Sequence, residues 1–398
     1  MKKRNAFVST IMAGALALSM LAGCGSASSA SAVSTASQAS ETAETSAAAS
    51  SASASSASSE TVTPAASSES VASSSVSSSS AASSSSSETA LKVGSEDADA
   101  MRVGSLKGPT TMGLVNLMEE TEDGDTQGDY VFTMETQPDA IASEIVSGDL
   151  DVALLPANMA SIVYNKTQGG ISVIDINTLG VLYCVTGDDS IKSVADLAGH
   201  TVYSTGQGAT PEYALNYLLE KNGVTDCTIE FRSEATEIAT ALAADPTAIA
   251  ILPQPFVTVA EMQNDQLHTA FSLTDAWDAV SDDGSRLLTG VTVVRNDYLN
   301  AHKDAVDLFL QESAASVDKA NSSIPETASL VVKYGIIEKE PVAEKALPEC
   351  QLVCVTGQEM KDSLSGYLNV LYNANAESVG GNLPGDDFYY VPDESAAS

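Results

Sequence analysis

The sequence predicts an α/β protein built as two similar lobes, and three observations carry that prediction. From Met101 onward, short apolar stretches alternate with segments of helical periodicity, the pattern of parallel sheets made from βαβ units. The run from Ser105 to Pro156 is matched by the run from Ser204 to Pro253, over 51 and 49 positions. Each run holds a small polar loop, a Pro-initiated helix, a strand, a helix and a strand ending in Leu-Pro. Beyond Gly290–Arg295 the chain is mostly helical, so its last strand must join a sheet formed earlier.

In the first unit, Met101–Gly104 is a strand and Ser105–Gly108 a turn. Pro109 sits at a first helical turn, where its missing N–H costs nothing, and the helix continues through Met118. A strand at Tyr130–Met134, a helix at Asp139–Ser147 closed by Gly148, and a strand at Val152–Leu155 follow. A further helix runs through Ile162. The second unit repeats the plan with a strand at Thr201–Tyr203, a loop at Ser204–Thr210 and a helix from Pro211 to Asn222. It ends with the strand Cys227–Phe231, the helix Glu234–Ala243 and the strand Ala248–Leu252. Helices are expected at His302–Asn321, Ile324–Tyr334 and Gln358–Asn375. They have no sheet of their own, so the first lobe is expected to be discontinuous. Two strands, near Leu182–Thr186 and Gly290–Arg295, are expected to cross between the lobes.

The N-terminal region reads as targeting and tether rather than core. Lys2, Lys3 and Arg4 precede an apolar run from Ala6 to Met20, shorter than the about 20 residues a membrane span needs. The run ends in Leu21-Ala22-Gly23-Cys24, which resembles a bacterial lipobox, with Cys24 as the acylated residue. Residues 1–23 are then a signal peptide, and 24–90, almost wholly Ser, Ala and Thr, a disordered tether with a span of about 45 Å. The folded part divides into a first lobe (91–185), a second lobe (186–289), a return to the first lobe (290–390) and a flexible tail (391–398).

Charge and rare residues narrow the function. The net charge is −35, of which the folded part carries about −33 once signal cations and tether acids are removed. That sign opposes nucleic acid and anionic lipid surfaces, so no nucleic-acid partner is expected and the membrane is met only through the lipid anchor. Cys184, Cys227, Cys350 and Cys354 can form two disulfides in three pairings or remain buried thiols, and spacing does not choose. His200, His268 and His302 lack ligand spacing, so no metal and no cofactor is expected.

Several segments resemble class II solute-binding proteins. Gly148-Asp149-Leu150-Asp151-Val152-Ala153 with Leu155-Pro156 resembles their helix-to-strand corner. Ile191-Lys192-Ser193-Val194-Ala195-Asp196-Leu197-Ala198-Gly199-His200-Thr201-Val202 resembles their entry to the second lobe, with His200 where Lys is usual. Ala250-Ile251-Leu252-Pro253-Gln254-Pro255-Phe256 resembles their second-lobe strand end. The similarity is to the branch of nitrate, sulfonate and thiamine-pyrimidine binding proteins and spans roughly residues 92–390. It implies the two-lobed class II periplasmic-binding-protein (Venus-flytrap) fold with two crossover strands. It also implies an extracytoplasmic monomer that passes a small-molecule solute to an ABC permease and its ATPase. A ligand-binding surface sensor is the alternative, and behind it an enzyme on the same fold.

In an open α/β lobe, ligand sits beyond the carboxyl ends of the strands, beside helix N-termini. That rule selects Ser105, Lys107, Thr110, Thr111 and Asn158 from the first lobe. From the second it selects Thr205, Gln207, Thr210, Gln254 and, as a partner for a cation, Glu212. Thr110 and Thr210 equally suit helix capping, and Trp277, the only Trp, suits either core packing or stacking on a planar solute. Lys107 favours an anion such as a sulfonate or carboxylate, whereas the amide and hydroxyl donors suit a neutral heterocycle. No catalytic residues are assigned. Gly-x-Ser-x-Gly, Walker and His-Glu-x-x-His motifs are absent, as is the Cys-rich iron motif of a fungal relative that makes the thiamine pyrimidine. The chain is therefore not expected to be an enzyme.

Overall fold

A computed structural model describes residues 91–392 except 96, 98 and 283. The signal, Cys24, the tether and the last six residues of the tail lie outside the described residues. In chain order the strands and helices are β1 (Leu91–Gly94), β2 (Met101–Leu106), α1 (Pro109–Met112), α2 (Val115–Asp123), β3 (Tyr130–Glu135), α3 (Pro138–Ser147), β4 (Val152–Pro156), α4 (Ala157–Thr167) and β5 (Ile171–Leu179). The chain then enters β6 (Leu182–Thr186), β7 (Thr201–Ser204), α5 (Thr210–Lys221), β8 (Thr228–Phe231), α6 (Ala235–Ala244), β9 (Ile249–Pro253), α7 (Phe256–Gln263), β10 (His268–Ser272) and α8 (Leu273–Val280). It returns through β11 (Leu288–Arg295), α9 (Asn296–Ala301), α10 (Lys303–Ser322), α11 (Ile324–Lys333), α12 (Glu340–Ala346), β12 (Leu352–Val355) and α13 (Gly357–Ala374).

Two sheets result, one per lobe. The first is ordered β1-β3-β2-β4-β11-β5-β12 and the second β10-β6-β9-β7-β8. The internal repeat is visible as shared topology, because β3-β2-β4-β11 and β8-β7-β9-β6 have the same spatial order. In both, three parallel strands are followed by an antiparallel one. The chain crosses between lobes twice, as expected, but the segments named for it lie wholly inside sheets. β6 belongs to the second sheet and β11 to the first, and the crossings fall just before each, at Gly180–Val181 and between α8 and β11. The two crossings touch there: a Cβ on Gly180 would collide with Leu287 and with the Thr274 hydroxyl, which donates to the Gly180 carbonyl at 2.7 Å.

The segments carrying the family resemblance have local physical reasons. Asp151, buried at the entrance to β4, accepts from Arg102 Nε at 2.8 Å and Nη2 at 2.5 Å, and Arg295 Nη2 stands 3.4 Å away. That cluster fastens β2, β4 and β11 together, and the carboxylate raises the Arg102 pKa. At the entry to the second lobe, the Asp196 carboxylate accepts from the Lys192 N–H (3.1 Å) and the Ser193 hydroxyl (2.8 Å). Ile191, Val194 and Leu197 are buried beneath this turn.

One apolar cluster runs through both lobes. It joins Leu155 and Val173 of the first sheet to Val202 and Ile251 of the second, by way of Trp277, Leu364, Tyr367 and Leu368. α13, from the C-terminal return, thus packs against α4 and against α5. Helices α10, α11 and α12 cover the opposite face of the first sheet with a second cluster, and α6 and α7 cover the opposite face of the second sheet with a third.

Candidate functional site

In each sheet the helices after neighbouring parallel strands leave on opposite faces, which creates a switch point at the strand ends, the usual seat of ligands in such sheets. At the first switch point the β2–α1 loop is held by its own strand. The Thr110 hydroxyl donates to the Leu106 carbonyl at 2.9 Å, and the Thr111 hydroxyl lies against that carbonyl and 2.8 Å from the Ser105 hydroxyl. Ser105, Thr110 and Thr111 are buried, and Lys107 is exposed. Thr110 does not cap its helix, whose N-cap is Gly108. Asn158, in the first turn of α4, donates to the Ser378 carbonyl at 3.3 Å. Ser161 and Asn165 donate to the Val379 carbonyl at 2.7 and 3.0 Å, so α4 is fastened to the segment after α13.

The second switch point is divided in the same way. The Thr210 hydroxyl meets the Tyr367 hydroxyl of α13 at 3.1 Å rather than capping α5, and Asn375 donates to the Tyr213 hydroxyl at 3.1 Å. Glu212 turns back to accept the Gly208 N–H at 2.5 Å. Thr205 is half-buried and Gln207 exposed on the same loop. Gln254 is buried at the end of β9, where its side-chain oxygen accepts from the Thr258 hydroxyl at 2.9 Å and its own N–H reaches the Val181 carbonyl at 3.0 Å.

The space between the lobes opens where α7 faces α12. A recess of about 580 Å³ there is lined from one lobe by Phe256, Val259 and Met262, and from the other by Ile337, Val342 and the two lysines Lys107 and Lys339, with Glu338 beside them. Phe256 and Met262 are 42% and 43% exposed, far more than apolar side chains held in a core. On the other flank of α7 lies a more polar recess of about 400 Å³, lined by Gln254, Thr258, Glu261, Lys345 and Glu349. Glu349, at its edge, accepts the Tyr183 hydroxyl on its backbone carbonyl at 2.7 Å. The larger recess lies within the size range of small-molecule sites and combines apolar walls with a few charged groups.

Of the residues expected from sequence, Lys107 lines the larger recess and Gln254 the smaller. Asn158 and Thr210 face the C-terminal helix and the segment after it. The sequence reading did not single out Phe256, Met262, Ile337 or Lys339. A signal existed in an apolar pair, Ile336-Ile337, set in an interhelical loop between Gly335 and Pro341. Trp277 is core: it is fully buried, stacked on Tyr217 at 4.1 Å, and donates through Nε1 to Ser285 Oγ at 3.2 Å. Cys184, Cys227, Cys350 and Cys354 are free thiols, and burial pushes each thiol pKa up, that of Cys350 to about 12. Among the described residues no three His, Cys, Asp or Glu side chains gather as a metal cluster, and no helix is long and apolar enough to cross a membrane.

Comparison with known proteins places this geometry. Residues 135–328 match the family model described as NMT1/THI5 like. Among solved structures, an ABC transporter protein from Parabacteroides distasonis is 21% identical, with a TM-score of 0.62, over 74% of this chain and 99% of its own. The periplasmic aliphatic sulphonate binding protein SsuA from Escherichia coli is 13% identical, with a TM-score of 0.60, over 75% and 94%. A putative periplasmic sulfonate-binding protein from Methylobacillus flagellatus is 15% identical, with a TM-score of 0.54, over 75% and 93%. No curated protein sequence matches the chain. The resemblance to class II solute-binding proteins read from the sequence is thereby borne out, and so is the two-lobed fold.

Proposed function

We propose that this chain, with its class II periplasmic-binding-protein fold, is the extracytoplasmic solute-binding component of an ABC importer and that its solute is a small amphipathic organic anion. The single observation that carries the reading is the recess of about 580 Å³ between α7 and the 336–342 segment, where exposed Phe256 and Met262 face the lobe that carries Lys107 and Lys339. An apolar body buried there gains about 25 cal/mol per Å² removed from water. A sulfonate or carboxylate head accepts charge-assisted hydrogen bonds from the two amino groups. The chain's net charge of −35 does not oppose this, because exposed charges beyond about 8–10 Å are screened at physiological salt. The fold neighbours named for sulfonate binding support the same ligand class.

In this reading the cleft closes on solute because a ligand gripped by both lobes makes extra contacts only when they meet. The loaded protein then docks on a membrane permease driven by an ATPase. Lipid attachment at Cys24 and the Ser/Ala-rich tether rest on the sequence, and would keep the binding lobes beside that permease. The chain acts as a carrier, with no catalytic step.

The test is calorimetric titration of the purified protein with alkane- and arylsulfonates, matched carboxylates, their neutral amides and their amines. The expected result is saturable binding of one or more anions with much weaker binding of the neutral and cationic analogues. Binding confined to neutral or cationic analogues would overturn the assignment of an anion.

A further inference from the structure

Beneath the β2–α1 loop lies a second feature, which shares no lining residue with the solute recess. A pit of about 10 Å³ separates the first sheet from α10. That is the room one water-sized sphere takes. Asp175 of β5, Asn177 of β5, Thr292 of β11, Ser313 of α10 and Thr110 of α1 line it, with Cys354 of β12 at its side. Gly290 packs against two of these residues, and any side chain there would collide with Asn177 and Thr110. Asp175 is 2% exposed and Ser313 4%, yet Asp175 Oδ1 and Ser313 Oγ have no hydrogen-bond partner. Two orphaned oxygens in one pit require an explanation, since each buried polar atom left unpaired is costly.

The hydrogens of Thr110, Thr178 and Asn177 are committed away from Asp175 Oδ1, and the Cys354 thiol turns to the other carboxylate oxygen, Oδ2. Thr110 donates to the Leu106 carbonyl, Thr178 to Asn177 Oδ1 at 2.9 Å, and Asn177 Nδ2 to Thr292 Oγ1 at 3.1 Å. The pit thus sets five oxygen-bearing side chains among the apolar walls of Leu114, Leu154, Val317 and Val353, and no Lys, Arg or His lines it to answer the carboxylate. We propose that the pit is a site for a dehydrated monovalent cation of about sodium's size, with Asp175 Oδ1 and Ser313 Oγ as its anchors and the oxygens of Asn177, Thr292 and Thr110 nearest to complete the shell. Hard cations take oxygen ligands of this kind. A magnesium ion keeps several of its waters, for which there is no room, and a single carboxylate matches one positive charge. Without a cation, burial pushes the Asp175 carboxyl up to about 7, against the pull of hydrogen bonds from Thr292, so a proton is the natural competitor. The other titratable group facing the pit is the Cys354 thiol, whose sulfur lies 4.0 Å from Asp175 Oδ2.

Thermal unfolding of the solute-free protein at alkaline pH tests the site, with lithium, sodium, potassium, ammonium or choline chloride at equal ionic strength. Sodium should raise Tm by about 2–5 °C over choline in a saturable way. Asp175→Asn should abolish that rise while leaving Tm in choline at or above the parent's, because it removes the buried charge. Ser313→Ala should keep the fold and shift the sodium response to several-fold higher concentration, which keeps the test decisive if the Asp175 variant does not fold. Equal Tm in all five salts would show that the pit holds only water or a proton. A sodium response unchanged in Ser313→Ala, or surviving Asp175→Asn, would place the ion elsewhere. Either result overturns the proposal.

Discussion

The two flanks of the lobe junction are built in opposite ways. On one flank α13 lies against α4 and α5, and Trp277, Tyr217 and Tyr367 form an aromatic group with centroids 4.1 and 5.9 Å apart. The core runs through this flank unbroken from one sheet to the other. On the other flank α7 and α12 meet between two recesses, and Phe256 and Met262 stay more than two-fifths exposed. Under the proposed function the difference gives each flank its work. The continuous apolar core would resist separation and serve as the pivot, and the sparsely packed contact would open and leave its apolar surface for a ligand to cover.

The largest expected effect lies on the packed flank. Trp277→Ala removes a fully buried side chain from the cluster that bridges the sheets, and large-to-Ala changes of aromatic residues cost about 3–5 kcal/mol. Urea unfolding should show that loss as a lower midpoint at similar slope. A cost below about 1 kcal/mol would mean that the bridge is not where the lobes are held together.

Next in size is the open flank. Lys107→Ala and Lys339→Ala should each weaken binding of an anionic solute by about 10- to 100-fold, the range for a hydrogen bond to a charged group. Stability should hardly change, since Lys107 is exposed and its backbone N–H, not its side chain, ties it to the Glu135 carbonyl. The check is titration at several salt concentrations, with the difference between parent and variant shrinking as salt rises. Loss of stability without loss of affinity in these variants would reverse the roles given to the two flanks.

Much of the architecture was legible because it is written in local rules. Pro109 and Pro211 in first helical turns and left-handed Gly148 after α3 punctuate the two units, and the 51- and 49-position spacing exposes the repeat. The longest strand escaped notice for a physical reason. β5 is buried along its whole length, but Asp175, Asn177 and Thr178 interrupt its apolar run, so no periodicity marks it. β1, β10 and β12, with four or five residues each, are short strands that gain their place from pairing. The candidate site was half legible. Strand ends and helix starts are visible in sequence, and they gave Lys107 and Gln254. That Asn158 meets Ser378, 220 positions away, and Thr210 meets Tyr367, 157 away, is decided by where α13 lies, which no local pattern encodes.

The smallest expected effect is the sharpest test of the comparison, because it concerns a residue at a strand-end loop that the packed flank has claimed. Thr210 begins α5, where a solute would meet it if both flanks served the ligand, yet its hydroxyl faces Tyr367 at 3.1 Å. Thr210→Val keeps the shape and removes that hydrogen bond. The Tyr367 hydroxyl is then left in a site where burial already raises its pKa, so the cost should be about 0.5–1.5 kcal/mol of stability. Solute affinity should stay within about twofold of the parent, since a free-energy change of 1.4 kcal/mol in the binding itself would be needed for a tenfold loss. Measuring both quantities on one preparation separates the cases. If affinity falls by tenfold or more while the unfolding midpoint holds, Thr210 faces solute, and the flank filled by α13 is part of the binding cleft rather than its pivot.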